Sequence, residues 1–247
     1  MHKLSVVIVQ VGDLIIVRRA DFTHCFARQF PLAIVSPDRR AIAYNAAMNY
    51  LSHLYFSNRT PLSMTGNLMG DFKPGKALRE RLPKEIILGI KNHRLVDRTT
   101  DRFKPVKSLR ELFAPERRRF AGVVTDIAFD YFLVKHWQRF DEGEFGNFVQ
   151  HCYDGLSECE QWMPARMRYV AGKMQEHDLL STYGTLQGIA EAIDMVSGRL
   201  RFANNMQGSI VEVEKNYQQI ELVFLQLFEH LQITVDAAAL ENVKPFE

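Results

Sequence analysis

The sequence predicts an all-α fold from about Met48 onward, preceded by a segment of different character. Apolar residues recur at three- and four-residue steps through the later chain, which is the period of one buried helix face. Prolines interrupt this pattern at intervals that suit ordinary helix lengths. A chain of 247 residues is long enough for one large domain, or for one domain with an appendage.

The composition is typical of a soluble globular protein, with 47% hydrophobic and 24% charged residues. The three cysteines, Cys25, Cys152 and Cys159, lack zinc-type spacing, which indicates a reducing compartment without a disulfide framework. Near the N-terminus, Gly12 and Asp13 break an apolar run, which is therefore too short to span a bilayer and is a poor signal peptide. These observations predict a cytoplasmic protein.

The first 47 residues differ in pattern from the rest of the chain. They contain two β-like runs, LSVVIVQV and DLIIVRR, and then RQFPLAIVSPDRR, which has no helical period. One interpretation is a small β appendage. The favoured interpretation is upstream sequence included by an early start codon, with Met48 as the real start. The predicted division is therefore an N-terminal extension over residues 1–47 and a helical domain over residues 48–247.

The helical period can be followed element by element through the second part of the chain. It runs through PKEIILGIKNHRLVD, SLRELF, VVTDIAFDYFLVKHW, GEFGNFVQHCYDGL, LQGIAEAIDMVSGRL and IVEVEKNYQQIELVFLQLFEHLQITV. The predicted breaks between helices lie at Pro61, Pro74-Gly75, Pro83, Pro105, Pro115 and Pro164.

Four clusters of polar residues stand out on these apolar helices. They are His53 in MNYLSHLYFS, Asp71 in GNLMGDF, the trio His93, Asp97 and Asp101 in HRLVDRTTD, and the pair Asp126 and Asp130 in VVTDIAFDYFLVKHW. Residues spaced by four drift only about 40° per step on a helix, so the trio forms one stripe. Imidazoles and carboxylates on apolar helices are the ligands that a divalent metal needs in a helical bundle.

The pair Asp126 and Asp130 is the strongest indication of a cation. Their spacing puts two like charges on one helix face, where they repel. No basic residue lies between Ala121 and Val134. A bound cation would turn this repulsion into attraction and compensate for buried charges that otherwise cost several kcal/mol each.

Each of the other groups also has a structural interpretation, and the sequence leaves these alternatives open. His53 would be a hydrogen-bonded core histidine, and Asp71 and Asp101 would be helix caps. His93 and Asp97 would form a surface pair next to Arg94 and Arg98. His136 lies about 120° from Asp130 on an ideal helix, so a packing or supporting role is expected rather than ligation.

Charge is distributed unevenly, although the net charge is only +2. Residues 73–119 contain fifteen Lys/Arg against six Asp/Glu, a local balance of +9. Residues 140–247 contain seven Lys/Arg against seventeen Asp/Glu, a balance of −10. The basic block predicts an acidic partner, with a merely solvated face as the alternative.

The runs MNYLSHLYFS, GNLMGDFKPG, GIKNHRLVDRTTD and RRRFAGVVTDIAFDYFLVKHW, in this order, resemble the bacterial acyl carrier protein phosphodiesterases, also called holo-acyl carrier protein hydrolases. The similarity runs from Met48 to about Trp137 and continues weakly to about Leu231. Nothing in residues 1–47 resembles the family. The resemblance implies an all-helical, HD-phosphohydrolase-like domain, a divergent relative of the HD-domain metal enzymes.

The resemblance also implies a reaction and a cofactor. The reaction is hydrolysis of the phosphodiester joining 4'-phosphopantetheine to a serine of holo-acyl carrier protein, and the cofactor is a divalent cation, Mn²⁺ or Mg²⁺. The positions that match the family's polar residues are His53, Asp71, His93, Asp97, Asp126 and Asp130. HD enzymes have an adjacent His-Asp pair, whereas His93 and Asp97 are separated here, so the site geometry is expected to differ.

Roles are expected for several further residues under this hypothesis. Asp71, Asp97 or Asp126 would act as base toward a water molecule, with Asp71 favoured, and Arg94 or Arg98 would bind the phosphate. An acidic carrier protein would dock on Lys104, Lys107, Arg110, Arg117, Arg118 and Arg119.

Two alternative functions remain at this stage. One is a metal phosphohydrolase acting on nucleotides, although no Gly-rich phosphate loop is visible. The other is a non-catalytic helical module that binds an acidic protein. Nucleic acid is not expected as a partner, because the basic block lacks interleaved aromatic residues.

Overall fold

A computed structural model of the chain describes residues 5–11, 14–20, 50–200, 202 and 204–242. The chain divides into two units, Met1–Arg39 and Arg40–Glu247. In the first unit, β1 (Ser5–Val11) and β2 (Leu14–Ala20) form an antiparallel hairpin. These strands coincide with the two predicted β-like runs. The segment RQFPLAIVSPDRR, Cys25 and Met48 lie outside the described residues.

The second unit is helical throughout its described residues, which confirms the predicted all-α domain. Its α-helices are α1 (Tyr50–Tyr55), α2 (Pro61–Met69), α3 (Lys76–Arg79), α4 (Lys84–Arg102), α5 (Lys104–Leu109), α6 (Ala121–Lys135), α7 (Trp137–Phe140), α8 (Phe145–Glu158), α9 (Ala165–Glu176), α10 (Leu179–Thr182), α11 (Leu186–Arg199), α12 (Ile210–Lys215) and α13 (Tyr217–Ala238). Short 3₁₀ helices lie at Arg110–Leu112, Arg118–Phe120 and Glu160–Trp162.

Proline and capping residues set several helix starts, as the sequence predicts. Pro61 begins α2, and the preceding Thr60 accepts a hydrogen bond from the backbone N–H of Ser63 at 3.3 Å. Pro83 and Pro164 immediately precede α4 and α9. The residue at which a helix begins determines on which turn each of its polar side chains lies.

Helices α2 and α4 pack with their backbones in close approach at two glycines. A Cβ atom added to Gly66 would lie 2.4 Å from the carbonyl oxygen of Ile86, and one added to Gly89 would lie 2.7 Å from that of Ser63. Only glycine allows this approach, because any side chain would collide with backbone atoms that cannot move independently. The contact brings the chain after α2 against the middle of α4, where His93 lies.

Helix α6 runs through the core of the second unit. It packs against α1, α11 and α13, and Ile127 and Phe132 are fully buried on it. On α13, Phe224 and Phe228 complete the same core. Asp130 is buried on this helix, so its surroundings are set by the neighbouring helices, whereas Asp126 is partly exposed.

Candidate active site

Three of the predicted site residues meet between α1 and α4. The Nε2 atom of His53 lies 3.3 Å from Oδ1 of Asp97, and the Nε2 atom of His93 lies 3.1 Å from Oδ2 of the same carboxylate. The two imidazole rings stack with their centroids 3.8 Å apart. Their potential ligand atoms all lie within 4.8 Å of one another. His53 and His93 are buried, and Asp97 is partly exposed, so the cluster is open on one side.

The donors of this cluster suit a divalent cation. Two nitrogens and a carboxylate oxygen converge on one point, a set that borderline metals accept. The Nδ1 and Nε2 atoms of His53 are both buried, and neither makes a hydrogen bond with any described residue. Burying unpaired polar atoms is costly, so Nε2, the nitrogen beside Asp97, indicates a position that is not satisfied by the protein alone.

The protonation states of His53 and Asp97 also favour ligation, whereas that of His93 opposes it. Burial, with the neighbouring charge of His93, lowers the pKa of His53 to about 4, although Asp97 opposes the shift. His53 is therefore neutral near pH 7, as a metal-binding imidazole must be. Burial opposes ionisation of Asp97, but its contacts with His53 and His93 outweigh burial and lower its pKa. Burial likewise opposes protonation of His93, but the Asp97 hydrogen bond and the charges of Asp71 and Asp97 raise its pKa.

Asp71 lies beside the cluster, two residues after the end of α2. Its Oδ1 atom is 3.7 Å from Nε2 of His93. Burial raises the pKa of Asp71 to about 7, with Asp97 adding to the rise and His93 opposing it. Asp71 caps neither adjacent helix, because α2 ends at Met69 and Gly75 is the N-cap of α3.

Gly70 makes the approach of Asp71 to the cluster possible. A Cβ atom on Gly70 would lie 2.0 Å from Cδ2 of His93, inside the imidazole ring's contact distance. In the sequence, Gly70 is only one residue of the run GNLMGDF. Its position immediately before Asp71 was the available signal, but its contact with His93 depends on how α2 packs against α4.

Asp126 is electrostatically coupled to the cluster from α6. Burial raises its pKa well above the ordinary value, and the charges of Asp97, Asp101, Asp130 and Asp71 raise it further, in that order. Asp101 is exposed in the last turn of α4, and the N-cap of the next helix is Phe103 rather than Asp101. Asp97 and Asp101, two members of the stripe predicted along α4, therefore act on Asp126 through their charges.

Asp130 has a different environment from Asp126. Its carboxylate accepts hydrogen bonds from the backbone N–H of Leu51 at 3.2 Å, from that of Ser52 at 3.0 Å and from the Ser52 hydroxyl at 2.6 Å. It thereby satisfies the first turn of α1, the helix that carries His53. Burial raises the pKa of Asp130 to about 7, although these hydrogen bonds act to lower it. Ligation by Asp130 stays a prediction, and no pattern in the sequence indicated its contact with Ser52.

The two arginines predicted to bind phosphate are on the surface of α4. Arg94 and Arg98 are exposed there, next in sequence to His93 and Asp97 respectively. His136 follows α6, and its Nε2 atom lies 2.7 Å from Oε1 of Glu221 on α13. The supporting role of His136 stays a prediction.

The six cations predicted to dock a partner have unequal surroundings. Lys104, Lys107 and Arg110 are exposed. Arg117 is ion-paired with Glu212 at 2.6 Å, and it also donates to the carbonyls of Gln207 and Gly208 at 3.2 and 3.3 Å.

The other two cations of the predicted docking face also contact the protein. The Nε atom of Arg118 donates to the carbonyl of Phe113 at 3.1 Å, and Arg119 lies over the rings of Phe120 and Phe202. The docking role stays a prediction for all six cations, and Lys104, Lys107 and Arg110 are the most available of them.

No helix in the described part of the chain is long and apolar enough to cross a membrane.

Comparison with known proteins places the chain among named relatives. Residues 48–231 match the family described as acyl carrier protein phosphodiesterase. The acyl carrier protein phosphodiesterase of Serratia proteamaculans is 33% identical over 183 residues, which cover 73% of this chain and 94% of the relative. The protein of that name from Yersinia pestis is 31% identical over 182 residues, with the same coverage of both chains. One from Escherichia coli is 26% identical over 194 residues, covering 78% of this chain and all of the relative. No solved structure matches the chain.

Proposed function

The chain belongs to the acyl carrier protein phosphodiesterase family, and on this basis we propose that it hydrolyses the phosphodiester between 4'-phosphopantetheine and a serine of holo-acyl carrier protein. The products are apo-carrier protein and free 4'-phosphopantetheine. The observation that carries the proposal beyond the family's name is the convergence of His53, His93 and Asp97 in one partly open cluster. A phosphodiester hydrolase needs such a concentration of charge and proton acceptors near the phosphorus.

We propose that His53, His93 and Asp97 hold a divalent cation, with Asp71 and Asp126 beside it. Support comes from the donor atoms within 4.8 Å of one another, the neutral state of His53 and the unpaired Nε2 atom of that residue. A bound Mn²⁺ or Mg²⁺ would supply Lewis-acid stabilisation of phosphate oxygens and a more acidic water molecule. The separation of His93 and Asp97 by one helical turn fits this role, because it lets Asp97 face both imidazoles.

Asp71 is the proposed base toward the attacking water. Its carboxylate is buried beside His93, and burial raises its pKa, which makes it a stronger proton acceptor than an exposed aspartate. Arg94, exposed next to His93, is the proposed donor to the non-bridging phosphate oxygens, since a guanidinium matches their geometry. His93 and Asp97 would hold the cation beside Asp71.

The decisive test of the function follows the mass of the carrier protein. With Mn²⁺ present, the wild type is expected to remove one phosphopantetheine group from holo-acyl carrier protein. Asp71→Asn is expected to lose activity by about 10²- to 10⁴-fold, the usual contribution of a positioned base. The exposed Asp154 on α8 provides the matched control, Asp154→Asn, which is expected to behave as the wild type. A wild type that leaves the carrier unchanged with several divalent cations, yet hydrolyses nucleotides, would instead support the nucleotide alternative.

The exposed cations Lys104, Lys107 and Arg110 are the proposed docking face for an acidic carrier protein. If they steer and hold the carrier, its KM rises with salt, because the Debye length falls from about 10 Å at 0.1 M to about 3 Å at 1 M. We expect Lys107→Glu to raise KM several-fold at low salt, leave kcat nearly unchanged and weaken the salt dependence. Steady-state kinetics at several salt concentrations measure all three.

Lys173→Glu is the matched control for this prediction, since Lys173 is exposed on α9 in the acidic half of the chain, and α9 packs against α8 and α10. It makes the same charge change away from the proposed docking face. Equal effects of the two variants, or a KM that does not respond to salt, would contradict docking on this face.

A further inference from the structure

We infer that a groove beside the cluster binds the 4'-phosphopantetheine arm of the substrate, an inference that rests on the proposed function. This groove, called the arm groove below, lies between the segment after α2 and the outer face of α4 and has a volume of about 660 Å³. The reaction cuts at one end of a long, mostly uncharged chain. A site for that chain has to begin at the phosphate and lead away from it.

The inner end of the arm groove lies at the cluster. Gly70 and Arg94 both line the groove, and they are the sequence neighbours of Asp71 and His93. Gly70 packs directly against the imidazole of His93, because a Cβ atom at this position would lie only 2.0 Å from Cδ2 of that ring. A molecule with its phosphate at the cluster therefore has the arm groove open to the remainder of its length.

The charge of the arm groove suits a phosphate ester with amide groups. Four exposed cations line it, Lys73, Arg79, Lys91 and Arg94, and no carboxylate is among its lining residues in the described part of the chain. None of the four forms an ion pair with a described residue. Their N–H groups are donors only, and the phosphate oxygens and amide carbonyls of the arm are acceptors.

The floor of the arm groove is apolar. Phe72 and Leu82 are buried beneath it, and Ile87 and Ile90 face it from α4. Ile87 is 37% exposed, a large aliphatic side chain left in solvent beside cations. Ile87 is four residues before Lys91, and Ile90 is four residues before Arg94, so a single helix face presents both aliphatic contacts and donors. The methyl and methylene groups of pantetheine would pack against the isoleucines, and its carbonyls would accept hydrogen bonds from the cations.

A second groove of similar volume, about 630 Å³, gives a useful contrast. It lies between α4, α5 and α13 and is lined by Arg98, Phe103 and His230 among others. It is lined neither by Gly70 nor by a residue of the segment that carries Asp71. Of the two grooves, the arm groove is the one next to Asp71, the proposed base, because Gly70 lines it.

Calorimetric binding with product tests this inference independently of turnover. Wild type, Ile87→Asn and Ile233→Asn are titrated with free 4'-phosphopantetheine, with inorganic phosphate and with apo-carrier protein. Ile233 is 69% exposed on α13 and lines neither groove, so it provides the same chemical change elsewhere. We expect Ile87→Asn to weaken 4'-phosphopantetheine binding about fivefold, through lost apolar contact. Its phosphate binding stays unchanged, and Ile233→Asn matches the wild type throughout.

Three results would overturn the inference. They are unchanged 4'-phosphopantetheine binding by Ile87→Asn, an equal loss in Ile233→Asn, and a loss confined to apo-carrier protein, which would assign the groove to the carrier's surface. The carrier-mass experiment decides separately whether the wild type cleaves holo-carrier protein. A protein that cleaves the carrier but binds the product equally well with and without Ile87 would retain the proposed function and lose the arm groove.

Discussion

Replacing Asp97 with asparagine is expected to weaken divalent-cation binding by more than about 100-fold, because even residues that only support metal ligands contribute about 10- to 100-fold. Asp97 is the carboxylate that both His53 and His93 approach, at 3.3 and 3.1 Å. Contacts with those two histidines also hold its pKa low, so it supplies negative charge at any pH near neutrality. Turnover of holo-carrier protein is expected to fall by about 10³-fold, as when one preorganised electrostatic group is lost.

Equilibrium dialysis with Mn²⁺ measures the affinity, and the rise of the unfolding temperature on adding Mn²⁺ gives a readout that does not depend on activity. Asp154→Asn makes the same chemical change at an exposed position of α8 and is expected to leave both the Mn²⁺ affinity and the rise of the unfolding temperature unaltered. An Asp97→Asn protein that binds Mn²⁺ like the wild type would rule out this cluster as the cation site.

The second large effect is expected from Asp130→Ala and concerns stability. The substitution leaves two backbone N–H groups of α1 and the Ser52 hydroxyl without their buried acceptor. Unmet buried donors cost about 1–3 kcal/mol each when nothing replaces their partner, and relaxation recovers part of this. We expect the free energy of unfolding to fall by about 3 kcal/mol, measured by urea denaturation in the presence of a chelator. Because α1 carries His53, Mn²⁺ affinity should fall as well.

The dependence of this stability on pH has a definite sign. The folded-state pKa of Asp130, about 7, exceeds the value of about 3.9 that an unfolded aspartate has. Between these two values the folded protein binds one more proton than the unfolded chain, so the Asp130 contribution to stability increases as pH falls from about 7 toward about 4. The expected slope is on the order of 1 kcal/mol per pH unit.

Asp130→Asn keeps an acceptor oxygen and cannot titrate, so it separates the two effects. The stability difference between wild type and Asp130→Asn should grow in favour of the wild type as pH falls from 8 to 5. Urea denaturation at several pH values measures it, with Asp154→Asn as the variant expected to follow the wild type. Parallel pH profiles for wild type and Asp130→Asn would contradict the shifted pKa.

The helical domain was predictable because its apolar periodicity is a local property of the chain. The stripe of His93, Asp97 and Asp101 was predictable for the same reason, since it lies on one helix, α4. The contact of Asp97 with His53 was not, because those residues are on helices separated by α2 and α3 and meet only through packing. The family resemblance grouped His53 with His93 and Asp97, which residue spacing alone did not do.

Asp126 and Asp130 show where spacing reaches its limit. Four residues apart on α6, they were expected to share a cation, and both are in the apolar surroundings that the sequence predicted. Yet the oxygens of Asp130 are directed at the start of α1, and those of Asp126 experience the charges of α4. A side chain's sequence neighbours on its own helix do not determine which other helix it meets.

The basic block illustrates a similar limit for charge. Arg117 was counted with its neighbours as part of a docking surface, but its carboxylate partner, Glu212, lies in the acidic second half of the chain. Local charge balance along a sequence does not reveal such long-range pairs. Lys104 and Lys107 retain the exposure that a docking surface requires.

The glycine contact between α2 and α4 has a consequence for how this site can change over evolution. The distance between Asp71 and His93 is set by two main chains in contact, at Gly66 and Gly89, with no side chain between them to be exchanged for a larger or smaller one. Selection therefore cannot adjust this spacing in small increments, because the first available step is a whole methyl group in backbone contact. A lineage that changes the chemistry of this cluster has to do so by replacing its polar side chains, while the helix spacing that positions them is inherited unchanged.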